Sequence, residues 1–409
     1  MKSNNIHSTT SASASIRPSV LVVSRWLGVP SEVWLWRQII GFNSFTPEIL
    51  TWRYDNPNLY PVDCQRLHIM STVEEPNDSS ARWKWRARNL LTRNFFGTQG
   101  PEQSALTDII GALSPAVILC HFGHIGLRLL PVAKSLNIPI VVHFHGQDIS
   151  SALNNRWYRW SLKNSITEFN ATVCVGSHQR RRLINLGAPE SSSYLIPCGV
   201  PTSQFQPKES LPSELAHADQ SVIRFICVAR LVYCKGVHVA IEAFSLLVAT
   251  GFCARLIIVG DGPASEDLND LTVRLGIQAF VDFAGVRTPS EIISLLAASD
   301  IFLQHSLTGA NGWDEGFGVS IAEAAAMSLP VIVSNCGGIT DQVINGETGM
   351  VIKENDIVGM FEAMHSLGSN KELQLKLGSA GRQRMIDHFD FSTKLAELEN
   401  VMIHVCNKK

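Results

Sequence analysis

Two glutamates, Glu315 and Glu323, bracket a glycine-rich entry, Gly316-Phe317-Gly318-Val319, into a run whose small and apolar residues predict a helix over 319–327. Gly316 and Gly318 allow a ligand to approach the backbone closely. The free N–H groups and positive dipole end of the following helix suit a phosphate. Glu315 falls in the loop and Glu323 one to two turns inside the helix, so the two carboxylates reach different parts of an elongated ligand with hydroxyls to offer. Taken alone, the pair fits a helix cap and a solvated helix residue equally well.

Upstream, Arg230 and Lys235 follow an apolar run over 223–228, with Gly236 at the start of a helix predicted over 238–248. Ligands of open α/β sheets bind in the crevice beyond the carboxyl ends of the strands. A guanidinium fork beside a compact ammonium suits a diphosphate, although two exposed surface cations would explain the same residues. In the first half, His145 stands just past a run ending at His143 and next to Gly146, with His121, His124 and His143 itself as competitors for any hydrogen-bonding role. Asp148 reads as a cap for the segment after it.

In order along the chain come Arg230 with Lys235-Gly236, Val259-Gly260-Asp261-Gly262-Pro263, Glu315 and Glu323, Gly337-Gly338, and Gly346-Glu347-Thr348-Gly349. This series resembles the donor-binding half of the family-4 retaining glycosyltransferases, which have the GT-B architecture. Pro30-Ser31-Glu32-Val33-Trp34, His121-Phe122-Gly123 and His143-Phe144-His145-Gly146-Gln147-Asp148 resemble the exopolysaccharide and colanic-acid branch of that family, so the resemblance runs from about Pro18 nearly to the end.

The resemblance implies an α/β fold with two Rossmann-like domains facing across a cleft. It implies a hexosyltransferase that moves a sugar, with retention and no cofactor, from a UDP-, GDP- or ADP-linked donor to a saccharide or lipid-linked saccharide, in exopolysaccharide or lipopolysaccharide biosynthesis. Residue by residue, His145 would hydrogen-bond the transferred sugar, Arg230 and Lys235 would hold the leaving diphosphate, Glu315 the donor sugar and Glu323 the ribose. Gly260, Gly316, Phe317, Gly318 and Val319 would lie along the donor, and Val286 and Arg287 near the base. Gly28 would face the donor phosphates from the turn after the first strand, where many relatives carry two glycines and this chain one. Asp341 stands where many relatives have Glu.

The chemistry would be electrostatic. Negative charge develops on the departing nucleoside diphosphate, and the two cations with the helix N–H groups would stabilise it. No metal is expected, and no Asp-x-Asp pair is present. A GT-B sugar phosphorylase or epimerase, or a catalytically silent sugar-nucleotide-binding partner, would use a similar cleft.

The elements that must carry these residues are apolar runs separated by turns and amphipathic stretches. Strands are predicted at 20–24, 116–120, 138–143, 171–175 and 193–196, then at 223–228, 254–259, 281–283, 301–303, 330–333 and 350–352. Such runs alternating with helices indicate parallel sheets covered on both faces. The expected division is a loose tail over 1–17, an acceptor-binding domain over 18–203, a nucleotide-sugar domain over 204–390, and a terminal helix over 391–409 returning to the first domain. No Gly-x-Gly-x-x-Gly follows the first strand and no Walker-type loop occurs, which disfavours dehydrogenases and P-loop hydrolases.

At 409 residues the chain exceeds one ordinary core. No apolar run is long enough to span a membrane, and nine scattered cysteines without a Cys-x-x-Cys pair indicate buried thiols. The net charge of −2 conceals an asymmetry: residues 1–207 hold 19 Lys and Arg against 12 Asp and Glu, and residues 208–409 hold 15 against 24. A basic first half favours an anionic partner such as a lipid diphosphate or an acidic membrane surface. Arg82-Trp83-Lys84-Trp85-Arg86 and Trp157-Tyr158-Arg159-Trp160 mix aromatics with cations as interfacial segments do. An inward-packed helix with solvated cations fits them equally well. The expected location is cytoplasmic or peripheral at the inner face of the plasma membrane, with no nucleic-acid partner.

Overall fold

The apolar runs of the sequence become the buried strands of two parallel sheets in the computed structural model, which describes residues 17–70, 90–207 and 221–408. The first sheet contains β1 (Ser19–Leu27), β2 (Thr46–Tyr54), β3 (Leu67–Ile69), β4 (Val117–His121), β5 (Ile140–Phe144), β6 (Ala171–Cys174) and β7 (Ser193–Leu195), in the order β3-β2-β1-β4-β5-β6-β7. The second contains β8 (Ile223–Val228), β9 (Ala254–Val259), β10 (Val281–Gly285), β11 (Ile301–Gln304), β12 (Val331–Ser334) and β13 (Met350–Ile352), in the order β10-β9-β8-β11-β12-β13. Every residue of β4, β5, β6, β11 and β12 is buried, as strands covered by helices on both faces require.

Both sheets wind outward in two directions from their first strand. The order therefore reverses between β1 and β4, and again between β8 and β11. These are the topological switch points at which open α/β sheets bind ligands, and the residues after β1 and β8 belong to one shared cavity.

β2 and β3 were not predicted from the sequence. β2 carries Pro47, Glu48 and Arg53 among its apolar residues, and Glu48 is paired with Arg66 (3.1 Å) and His68 (3.2 Å) at the sheet edge. β2 is second from the edge, flanked on its outer side only by the three-residue β3, and lacks the unbroken apolar pattern of the central strands.

One apolar cluster, including Val20, Trp34, Phe205, Phe317, Ile321 and Leu395, runs through both halves. The Phe391–Asn407 helix contributes Leu395, Leu398, Val401, Met402 and Val405 to it, and Glu399 accepts from the N–H groups of Asn43 (2.9 Å) and Ser44 (2.6 Å). Asp390 caps this helix, accepting from Ser392 and Thr393 N–H, while the flanking backbone pairs with Val200.

No helix among the described residues is long and apolar enough to cross a membrane. Arg82-Trp83-Lys84-Trp85-Arg86 lies outside the described residues. In the Arg156–Ser165 helix, Tyr158 and Leu162 point inward, whereas Trp157 is 46% exposed and tilts against Phe95 with ring centroids 4.5 Å apart.

Candidate active site

Between the two switch points lies a cavity of about 1100 Å³. Of the residues singled out in the sequence, His145, Arg230, Lys235, Gly260, Val286, Arg287, Glu315, Phe317, Gly318, Val319 and Glu323 line it together, although they come from both halves of the chain.

Gly28 and Gly316 do not line the cavity; both serve backbone contacts behind its wall. Gly28 has a φ of +80°, and a Cβ there would fall 1.7 Å from the carbonyl oxygen of Asp55. A Cβ on Gly316 would fall 2.2 Å from the carbonyl oxygen of His145, so this glycine is what lets the two halves of the chain meet.

The Glu315 carboxylate is held almost entirely by one oxygen. Its Oε2 accepts from Lys235 Nζ at 2.5 Å, Ser306 Oγ at 3.0 Å and Gln304 Nε2 at 3.2 Å. Oε1 takes none of these bonds. Gln304 is itself fixed by Ser320 Oγ at 2.8 Å, which ties β11 to the first turn of the Val319–Ala326 helix. Lys235 Nζ also lies 5.4 Å from the centre of the Trp313 ring. Arg230 is exposed and makes no ion pair among the described residues, so its guanidinium is available to an anion.

The Val319–Ala326 helix has no side-chain cap at Gly318. Its first intrahelical bond runs from Ala322 N–H to Gly318 at 3.1 Å, so the N–H groups of Val319, Ser320 and Ile321 are the orphan donors of the first turn. Glu323 lies inside the helix but is not solvated: its Oε1 pairs with Arg37 Nη2 at 2.7 Å, with both side chains buried. Arg37, on the Val33–Gly41 helix of the first half, was not identified from the sequence.

His145 lies in a cluster of three histidines. Its Nε2 is 3.0 Å from His121 Nδ1, its Nδ1 is 4.0 Å from Cys198 Sγ, and its ring stacks on Trp34 at 3.8 Å. Burial, reinforced by the neighbouring His143 and His121, holds it well below the usual histidine range, so it is neutral. His121, His143 and His145 carry ligand nitrogens within 4.8 Å of one another. The 3.0 Å contact is the length of an N–H···N bond. It is shorter than the roughly 3.3 Å that two nitrogens keep across a tetrahedral zinc with ordinary Zn–N bonds. The His121–His145 pair fits a shared hydrogen bond better than two ligands of one ion.

Asp148 does not cap the segment after it. Its carboxylate reaches backward, accepting from Gly123 N–H (2.9 Å) at the start of the Gly123–Ser135 helix and from His145 (3.1 Å) and Gly146 (3.0 Å). That bracket fixes the turn carrying His145. Burial still raises the Asp148 carboxyl above its usual range, against the pull of those N–H groups.

Polar contacts close the back of the cleft. Asp341 accepts from Ser177 N–H at 2.7 Å and Ser177 Oγ at 2.8 Å, capping the Ser177–Asn185 helix from the other half. Asp314 is ion-paired with Arg182, and His178 Nε2 lies 3.4 Å away. Glu32, also on the cavity wall, is the other residue whose importance the sequence did not indicate beyond its motif. Burial pushes its carboxyl up to about 7, against the pull of Arg230.

A model of the family described as Glycosyl transferases group 1 matches residues 210–384, and one described as Glycosyltransferase Family 4 matches residues 63–204. The colanic acid biosynthesis glycosyltransferase WcaL of Escherichia coli (strain K12) is 31% identical over 281 residues, covering 66% of this chain and 66% of that protein, just under two thirds of each. A GDP-mannose-dependent phosphatidylinositol monomannoside mannosyltransferase of Mycobacterium tuberculosis is 29% identical over 326 residues, or 78% of both chains. Among solved structures, Anabaena HepE in complex with UDP and glucose superposes with a TM-score of 0.76 at 16% identity, covering 94% of this chain and 99% of that one. Sucrose-phosphate synthase from Thermosynechococcus elongatus gives 0.74 at 15% identity, over 96% and 100%. These structural likenesses concern the fold. With the two family matches falling on opposite walls of one cleft, the chain belongs to the family-4 glycosyltransferases, with the GT-B fold.

Proposed function

We propose that the protein transfers a sugar, with retention of configuration, from a nucleotide-sugar donor to a saccharide or lipid-linked saccharide acceptor in the synthesis of a surface polysaccharide or glycolipid. The observation that carries this reading is the arrangement of Arg230 and the Lys235–Glu315 pair around the uncapped first turn of the Val319–Ala326 helix, inside one cavity. Two cations and three orphan N–H groups form an anion site of the kind a diphosphate fills.

In this reading the second half binds the donor and the first half the acceptor, with the terminal helix from Phe391 returning onto the first half. Arg230, Lys235 and the helix N–H groups neutralise the charge that grows on the leaving nucleoside diphosphate, which lowers the barrier without a metal. Lys235 holds Glu315 by Oε2, leaving Oε1 for a hydroxyl of the donor sugar. Glu323 meets the ribose, and Gly260, Val286 and Arg287 border the base. His145, neutral and stacked on Trp34, forms the wall behind the transferred sugar. The basic first half, with Trp157 exposed, suits a peripheral position on an anionic membrane.

The test is a thermal-shift series with UDP, GDP, ADP and their sugars, with and without EDTA. A selective shift with one nucleotide series that EDTA does not remove supports the reading, since a ligand of the folded state raises the melting temperature by mass action. Folded protein that shifts with none of them would turn the assignment toward a sugar phosphorylase or a silent partner.

A further inference from the structure

We propose that Arg37, a residue of the first half, is a positioning residue for nucleotide recognition by the second: it holds Glu323 by one carboxylate oxygen so that the other meets a ribose hydroxyl. This rests on the glycosyl-transfer reading above and adds to it that ribose recognition depends on a side chain from the opposite half.

Arg37 comes from the Val33–Gly41 helix and Glu323 from the Val319–Ala326 helix, and both border the shared cavity. Their ion pair uses one atom of each, Nη2 and Oε1, at 2.7 Å. Glu323 Oε2 accepts no hydrogen bond among the described residues, and Arg37 Nη1 is buried with no hydrogen-bond partner among them. Two charges withdrawn from water repay their desolvation only when their remaining N–H groups and lone pairs are bonded, and apolar side chains of similar volume stabilise a fold at least as well. A half-used arginine is therefore a poor device for stability alone. What it does supply is direction: a carboxylate pinned at one oxygen has already lost the rotation that a ligand would otherwise have to freeze.

Arg37 is itself placed by the segment that leads from the first half to the second. Its guanidinium carbon lies 5.4 Å from the centre of the Phe205 ring. The Phe205 carbonyl accepts from Arg382 Nη1 at 2.9 Å, and the same nitrogen donates to the carbonyl of Ala326, the last residue of the helix that carries Glu323. Arg382 Nη2 also donates to Gln206 Oε1 at 2.8 Å. Arg382 thus ties the connecting segment to the carboxyl end of the Glu323 helix, while Phe205 carries the Arg37 guanidinium. The cation and the carboxylate are fixed relative to each other by contacts other than their own.

The experiment titrates the full chain, by calorimetry, with whichever of UDP, GDP and ADP gives the largest thermal shift, and with the 2′-deoxy and 3′-deoxy forms of that nucleotide. Wild-type protein should bind the ribonucleotide about tenfold more tightly than at least one deoxy form, the gain of one hydrogen bond to a charged group. Arg37→Met should abolish most of that preference while leaving the affinity for the same deoxy form near the wild-type value, a selective loss that disturbed packing does not produce. Glu323→Ala should lose the preference too, and adding Arg37→Met to it should lower the preference no further, because Arg37 acts through Glu323. Arg37→Lys, which keeps a cation on a head group without the planar fork, should fall between wild type and Arg37→Met, and it decides the matter if Arg37→Met does not fold. A wild-type preference in Arg37→Met, or in Arg37→Lys where Arg37→Met does not fold, overturns the proposal. So does an equal loss of affinity for the ribonucleotide and its deoxy forms, which marks a purely structural pair. Wild-type protein that binds nucleotide without preferring the ribose form overturns the proposal and leaves the glycosyl-transfer reading standing. Folded wild-type protein that binds none of the nucleotides defeats that reading, and this inference with it.

Discussion

Arg37 Nη2 and Glu323 Oε1 lie 2.7 Å apart across the cleft, although 286 residues separate them in the chain. Each keeps bonding capacity in reserve: Arg37 Nη1 is buried with no hydrogen-bond partner among the described residues, and Glu323 Oε2 accepts no bond. The pair therefore latches the two halves together.

Because both side chains are buried, removing one partner strands the other. Arg37→Ala should cost about 3–5 kcal/mol of stability, read as a shift in the denaturant midpoint. Arg37→Met with Glu323→Gln should cost far less than the two single changes added together, because no buried charge is left unpaired. Additive single and double costs would show that the pair is not coupled.

Lys235→Ala and Arg230→Ala should each slow transfer by about 10- to 1000-fold, equivalent to about 1.5–4 kcal/mol of transition-state stabilisation. The two should differ in stability. Arg230 is exposed and makes no ion pair among the described residues, so its loss leaves the fold unchanged, whereas losing Lys235 deprives the buried Glu315 of its cation. Lys235→Ala with Glu315→Gln should recover the stability but not the rate. Turnover at the wild-type rate in both single variants would overturn the diphosphate assignment.

All six strands of the second sheet were legible because each is a short run rich in apolar residues and bounded by turns. β2 escaped notice because Pro47, Glu48 and Arg53 interrupt its pattern, and β3 because three residues carry no periodicity. The site divides in a similar way. Glu315, Arg230 and Lys235 were legible because glycines and strand ends mark them locally. Arg37 was not, since its significance comes from a carboxylate in the other half of the chain. Gly28 and Gly316 were read as ligand-facing because a missing side chain serves a phosphate and a neighbouring carbonyl equally well. The carbonyls of Asp55 and His145, which the sequence does not place, press against these two glycines.

The buried histidines predict the response to acid. Burial lowers His143 from 6.5 to about 3, and His124 and His305 to about 4, so these rings stay neutral in the fold while the unfolded chain protonates them near 6.5. The unfolded state then binds more protons below that value. Stability is full above about pH 6.5 and is lost as pH falls through the folded pKa values. At pH 5, His143 alone accounts for about 2 kcal/mol of the loss. His143→Leu should therefore lose less stability than wild type between pH 7.5 and pH 5 in parallel denaturant titrations. Equal losses would mean that His143 is charged in the fold.

Glu32 has the opposite sign. Its pKa is raised from 4.5 to about 7, so the folded protein binds more protons than the unfolded chain between those values. The stability that Glu32 contributes is fully present below pH 4.5 and is lost as pH rises through about 7. Glu32→Gln, which keeps the shape without the charge, should be more stable than wild type at pH 8 and should lose that advantage at pH 4. The same measurement at pH 8 with a saturating non-hydrolysed nucleotide adds a second prediction. A diphosphate bound to Arg230 removes the one favourable field acting on the Glu32 carboxylate, so the gain from Glu32→Gln should widen. A gain that is the same with and without nucleotide would show that the field of Arg230 does not reach the Glu32 carboxylate.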